Sequence, residues 1–94
     1  MGKISLFPRR FKYDLGERIS IQLFDVLERL IEAQYSKALR KQCLLAANMG
    51  LEKLRYWVRL AKDLICMDLK AYEHASRQIQ TCGKMIGGWL KEVS

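Results

Sequence analysis

Apolar residues recur along most of this chain at intervals of three and four, the repeat of a helix with one buried face. Ile19, Leu23, Val26, Leu30 and Ala33 form the first such series. Leu44, Ala47, Leu51, Leu54, Val58, Ala61 and Ile65 form the second and most regular one. It alternates three and four over three heptads, the seam of a left-handed helical bundle. Tyr72, Ala75, Ile79, Cys82, Ile86, Trp89 and Val93 carry the pattern almost to the C-terminus. Nothing reads as a strand, so the predicted class is all-α, an antiparallel up-down bundle with short loops.

The breaks in the pattern set the boundaries. Residues 1–13 read as a basic arm, with Phe7-Pro8 an extended pair followed by Arg9, Arg10 and Lys12. Asp14 is placed to accept from a first helical turn, with Glu17 as its capping-box partner. A first helix is therefore expected over 14–35. Ser36 is the cap candidate for a second helix over 37–66, whose stretch to Ile65 would be roughly 45 Å long. Cys66-Met67-Asp68 reads as a tight connection, and Asp68 as the N-cap of a third helix over 68–93. Ninety-four residues give one domain, 1–94, and a modest core that leans on oligomerisation or close helix packing.

Drawn at 100° per residue, the second helix is apolar most of the way round. Met49, Tyr56, Trp57, Leu60 and Leu64 widen the arc beyond its seam. A helix apolar on so many sides is surrounded, which points to a subunit interface involving Trp57, Leu60 and Leu64. Gly83, Gly87 and Gly88 interrupt the third helix, and each costs about 1 kcal/mol relative to alanine. Gly83 and Gly87 lie one turn apart, a small face for close helix approach beside Trp89. A phosphate-cradling loop fits worse, because no strand precedes it and no Lys-Ser or Lys-Thr follows.

Charge narrows the class of partner. Seventeen Lys and Arg stand against ten Asp and Glu, a formal net charge of +7. Polyanions are the favoured partners of such a domain, although charge also serves solubility. The polar strip of the second helix holds Lys37, Lys41, Asn48, Glu52, Arg55, Arg59 and Lys62. On an ideal helix they fall within roughly 80°. Lys37, Lys41, Arg55, Arg59 and Lys62, helped by Arg9, Arg10 and Lys12, are the candidate nucleic-acid-binding residues. The competing reading is a solvated face on which Glu52 and Asp63 pair with Arg55 and Arg59.

Catalytic equipment is not found. His74 is the only histidine, and no cysteine stands at ligand spacing from it, so neither a metal nor a cofactor is expected. The serines lack the turn of a nucleophile elbow, and no carboxylate pair is placed for acid–base work. Cys43, Cys66 and Cys82 are odd in number and sit in apolar contexts. They read as buried reduced thiols of a cytoplasmic protein. No apolar run approaches the ~20 residues of a membrane span, so no membrane partner is expected.

Several runs resemble a known family. Leu54-Arg55-Tyr56-Trp57-Val58-Arg59-Leu60-Ala61-Lys62-Asp63-Leu64 is similar to a run of the Avd-like proteins of diversity-generating retroelements. Tyr72-Glu73-His74-Ala75-Ser76-Arg77 and Gly83-Lys84-Met85-Ile86-Gly87-Gly88-Trp89-Leu90-Lys91 resemble that family's closing segment. Phe7-Pro8 and Leu15-Gly16-Glu17-Arg18-Ile19 fit its start of a long helix. The resemblance implies a four-helix bundle, assembled as a pentamer. It also implies a non-enzymatic accessory that binds RNA or DNA and a reverse transcriptase, supporting cDNA synthesis in mutagenic retrohoming. Arg55, Arg59 and Lys62 would belong to its basic surface. Related bundles are encoded by intervening sequences of 23S ribosomal RNA genes, and a structural oligomeric module acting through protein–protein contacts is the alternative. Only three helices are legible here where the family has four, an additional one preceding Phe-Pro. A shortened chain or a neighbouring subunit would account for the gap. A basic helical protein of antitoxin or membrane-surface type is a third reading.

Overall fold

The computed structural model describes residues 9–64 and 67–93, with side chains from Tyr13 onward. Three helices follow one another: α1 (Arg9–Tyr35), α2 (Arg40–Asp63) and α3 (Leu69–Val93). No strand occurs among the described residues. The middle helix packs against both neighbours, while α1 and α3 do not pack against each other. Side-chain pairs fix the directions. Arg18 lies over Trp57 near the start of α1, and Arg40 reaches Ala33 near its end, so α1 and α2 run antiparallel. Lys62 over Tyr72 and Arg40 over Trp89 do the same for α2 and α3.

The core lies along the predicted seam. Leu44, Ala47, Leu51, Leu54, Val58 and Ala61 are all buried, whereas Ile65 lies outside the described residues. Val26 and Ala33 of α1 and Ile79 and Ile86 of α3 close on that seam from either side, with Ile19, Leu30, Tyr72, Ala75, Cys82, Trp89 and Val93 at its margin. Leu23, expected on the same face, stays exposed. It sits about 60° round from Val26 on a helical wheel, at the edge of the buried arc. Cys43 is a buried free thiol and Cys82 a half-buried one; Cys66 lies outside the described residues.

Boundaries differ from expectation in two places. The first helix begins at Arg9 rather than Asp14, so Arg9, Arg10 and Lys12 belong to its opening turns instead of an arm. Arg9 to Tyr13 contains no Gly or Pro to break a helix, and Asp14 lies in the interior, where no capping box forms. Phe7-Pro8 lies outside the described residues. The second helix is shorter than 37–66, because 37–39 form a turn and the helix ends at Asp63. Ser36 shapes that turn, its Oγ accepting from Leu39 N–H at 3.3 Å. Asp68 caps α3 as expected, its Oδ1 accepting from Ala71 N–H at 2.7 Å.

Arg40 joins all three helices. Its Nε donates to Ala33 O at 2.7 Å and its Nη2 to Gln34 O at 3.1 Å. These carbonyls belong to the last turn of α1, where no intrahelical donor remains, and a cation also suits that end of the helix dipole. The same guanidinium lies 5.9 Å from the centre of the Trp89 ring. Replacing Arg40 by Lys keeps the charge but loses the two-pronged fork. Arg40→Lys is expected to lower stability by about 1 kcal/mol and Arg40→Met by about 2, read as midpoint shifts in urea unfolding. Equal stability of all three proteins would contradict this role.

Gly50 sets the distance between α1 and α2. A Cβ built there would stand 2.6 Å from Val26 Cγ2 and 3.3 Å from Gln22 Nε2. Val26 is buried, and a β-branched side chain in a helix has little rotamer freedom to move away. Gly50→Ala therefore gains up to ~1 kcal/mol of helix propensity and loses more to overpacking, typically ~1–3 kcal/mol. Gly16, mid-helix and exposed, has nothing within 4 Å of its Cβ position. Thermal unfolding is expected to place Gly16→Ala above wild type and Gly50→Ala below it.

Candidate nucleic-acid interface

The seam that packs α2 against its neighbours leaves an adjoining face of the helix, about 90° round, to solvent, and that face carries the charge. Lys41, Arg55 and Arg59 are exposed on it together with Asn48 and Glu52. Lys37 lies in the preceding turn and is exposed. Lys62 is different: it is half-buried, with its Nζ 4.8 Å from the centre of the Tyr72 ring. Of the other candidates, Arg9, Arg10 and Lys12 have their backbone in α1 and their side chains outside the described residues.

Carboxylates thread the strip. Arg55 Nε lies 3.5 Å from Glu52 Oε1 and Arg59 Nε 3.9 Å from Asp63 Oδ2. Lys62 Nζ is 4.0 Å from Asp63 Oδ1. These are long, solvent-exposed pairs worth at most ~0.5 kcal/mol each. A phosphate displaces such a pair at little cost, because a guanidinium has donors to spare for a second acceptor.

Between α2 and α3 the strip borders a groove of about 610 Å³. Glu52, Arg55, Tyr56, Val58 and Arg59 line one side of it, and Tyr72, Ser76, Ile79 and Gln80 the other. Gly83 lies where the two helices meet beside it. A Cβ there would meet Arg55 Nη2 at 3.3 Å and Leu51 Cδ1 at 3.9 Å. The Arg55 end is flexible and nothing stands within 4 Å at Gly87 or Gly88, so among the described residues none of the three is required for close helix approach. Trp57, Leu60 and Leu64, expected at an interface, are half-buried, and Arg18 of α1 lies 5.6 Å from the centre of the Trp57 ring.

A second, apolar groove of about 740 Å³ separates α1 from α3. Leu27, Leu30 and Ile31 face Met85, Ile86 and Trp89 across it. On the far side of α1 from α2, Ile21, Phe24, Ile31 and Tyr35 form an exposed apolar stripe. These positions share one face at the helical repeat, so the signal for the stripe lies in α1's own spacing. Among the described residues, no three His, Cys, Asp or Glu side chains are grouped to hold a metal ion. His74 is exposed on α3. No described helix is long and apolar enough to cross a membrane.

Comparison with known families agrees with the resemblance read from the sequence. The model of the bAvd-like family matches residues 3–93. This chain belongs to the bAvd-like family. No curated protein and no solved structure matches it. In this bAvd-like chain the Leu54–Leu64 run that carried the resemblance supplies the buried Leu54, Val58 and Ala61 on one side and the exposed Arg55 and Arg59 on the other. The same eleven residues therefore build the core and the basic face.

Proposed function

We propose that this bAvd-like protein is a non-enzymatic accessory that binds RNA or DNA along the basic face of α2 and presents it to a reverse transcriptase during cDNA synthesis. The observation that carries the reading is the clustering of exposed Lys41, Arg55 and Arg59 on one face of a chain with net charge +7. Family membership supports the polymerase as partner and mutagenic retrohoming as setting. Phosphate contacts position a strand without reading its bases, so recognition through this face is weakly sequence-specific. The chemistry is left to the polymerase, and the accessory holds the template or product.

Counterion release gives the test. Binding is measured by electrophoretic mobility shift over a salt series, with Arg55→Ala/Arg59→Ala beside wild type. The double variant is expected to bind more weakly and to reduce the slope of log K against log salt by about 2. Far-UV circular dichroism checks that it is folded. An unchanged affinity and slope would remove this face from the function. A reverse-transcriptase gene and a template repeat beside the coding sequence would support the proposed setting, and co-purification with that enzyme would support the partnership.

The apolar groove favours an assembly of several copies, the pentamer being the number that the resemblance implies. Ile21, Phe24, Leu27, Ile31, Tyr35 and Met85 are all exposed. At about half of ~150–200 Å² each, they offer on the order of 500 Å² of apolar surface, more than half of one partner's share of a stable interface. This assembly also serves the alternative role, a structural module acting through protein contacts. Ile31 is 59% exposed, so Ile31→Glu spares the core while placing a charge in the contact. Sedimentation velocity is expected to show wild type as an oligomer and Ile31→Glu as a smaller species. A monomeric wild type would dismiss the assembly.

A further inference from the structure

The groove between α2 and α3 mixes charge with aromatic surface in a way the phosphate-binding role does not require. Tyr56 is 77% exposed, contributes nothing to the core cluster, and lies between Arg55 and, one turn on, Arg59. Among the described residues no cation covers its ring, whereas Lys62 already occupies a face of Tyr72 at 4.8 Å. An uncovered ring at the mouth of a groove, flanked by two guanidinium groups, is suited to a ligand that carries both a phosphate and a flat apolar face.

We infer that this groove takes single-stranded nucleic acid, with a base stacked on Tyr56 and the adjoining phosphates on Arg55 and Arg59; the inference rests on the nucleic-acid reading proposed above. A duplex keeps its bases stacked inside and offers the groove only its backbone, which leaves Tyr56 unused. An unpaired strand turns out its bases, and base–aromatic stacking is tolerant of sequence because every base has a π-face. Ser76 and Gln80 on the α3 wall hold hydroxyl and amide groups able to meet the edge of the stacked base. Glu52 lines the same groove. Its carboxylate is held toward Arg55 at 3.5 Å, a weak pair that an incoming phosphate replaces. The apolar groove between α1 and α3 lacks this mixture and fits a strand poorly.

The experiment compares a fluorescein-labelled, mixed-sequence single strand of roughly 20 nucleotides with the matching duplex, by anisotropy. Tyr56→Ala is expected to weaken single-strand binding about tenfold or more and to leave duplex binding within about twofold. Tyr56→Trp, which keeps a stacking face, should bind the single strand at least as well as wild type. Circular dichroism confirms folding, and the exposed position of Tyr56 keeps the truncation out of the core. Unchanged single-strand binding in Tyr56→Ala overturns the inference, and so does equal weakening toward duplex and single strand. If Arg55→Ala/Arg59→Ala weakens binding while Tyr56→Ala does not, only the stacking is lost and the basic face stands. If neither variant changes binding, both readings fail together.

Discussion

Among the described residues, one helix holds the other two. The first and third helices each bury one face against α2 and do not pack against each other, so the seam of α2 is the constraint to which everything else answers. That seam must be apolar on two adjoining sides and narrow enough to let both neighbours approach. Leu44, Leu51, Leu54 and Val58 supply the apolar area, and Ala47, Gly50 and Ala61 keep it narrow. Side chains meeting at intervals of three and four hold the helices nearly antiparallel. The face of α2 that adjoins this seam is left to solvent and carries Lys41, Arg55 and Arg59.

Cations are divided between holding the fold and facing solvent. Arg40 closes the last turn of α1 and lies over Trp89. Arg18 lies over Trp57 and Lys62 over Tyr72. All three place a guanidinium or ammonium on a ring face, an attraction that also buries the aliphatic stem. Lys41, Arg55 and Arg59 have no ring beneath them among the described residues, and their exposure leaves them to meet an external anion. Arg18, Arg40 and Lys62 are thereby committed to contacts within the fold, and the exposed cations of the α2 strip are Lys41, Arg55 and Arg59.

An open arrangement of three helices leaves apolar surface uncovered. Its radius of gyration of 15.5 Å exceeds the ~13 Å of a compact chain near this length, partly because the helices are long and partly because α1 and α3 stand apart. Domains ordinarily bury apolar faces between packed layers. Here α1 is apolar toward α2, toward the groove and on its outer side, the condition of a surrounded helix.

Local physics was legible in the residues alone. The three-and-four spacing determined the helices and nearly all of the core, because a helix repeats its face at a fixed interval whatever it packs against. The Asp68 cap was legible for the same reason, being a bond between near neighbours in sequence. The basic strip followed from the same periodicity. Whether a given cation on it is free depends on what a different helix brings near: Lys62 shares the strip with Arg55, but Tyr72 of α3 lies beside it. Glycine showed the same division. The sequence drew attention to Gly87, with its cluster near the C-terminus, but the steric demand falls on Gly50, which only the approach of Val26 reveals. Uncovered apolar surface lies on α1, at Met85 across the groove, and at Leu45, Met49 and Tyr56 of α2, whereas Arg18 of α1 lies over Trp57. Distances between helices are set by the packing of all their side chains together, and only the tertiary structure decides them.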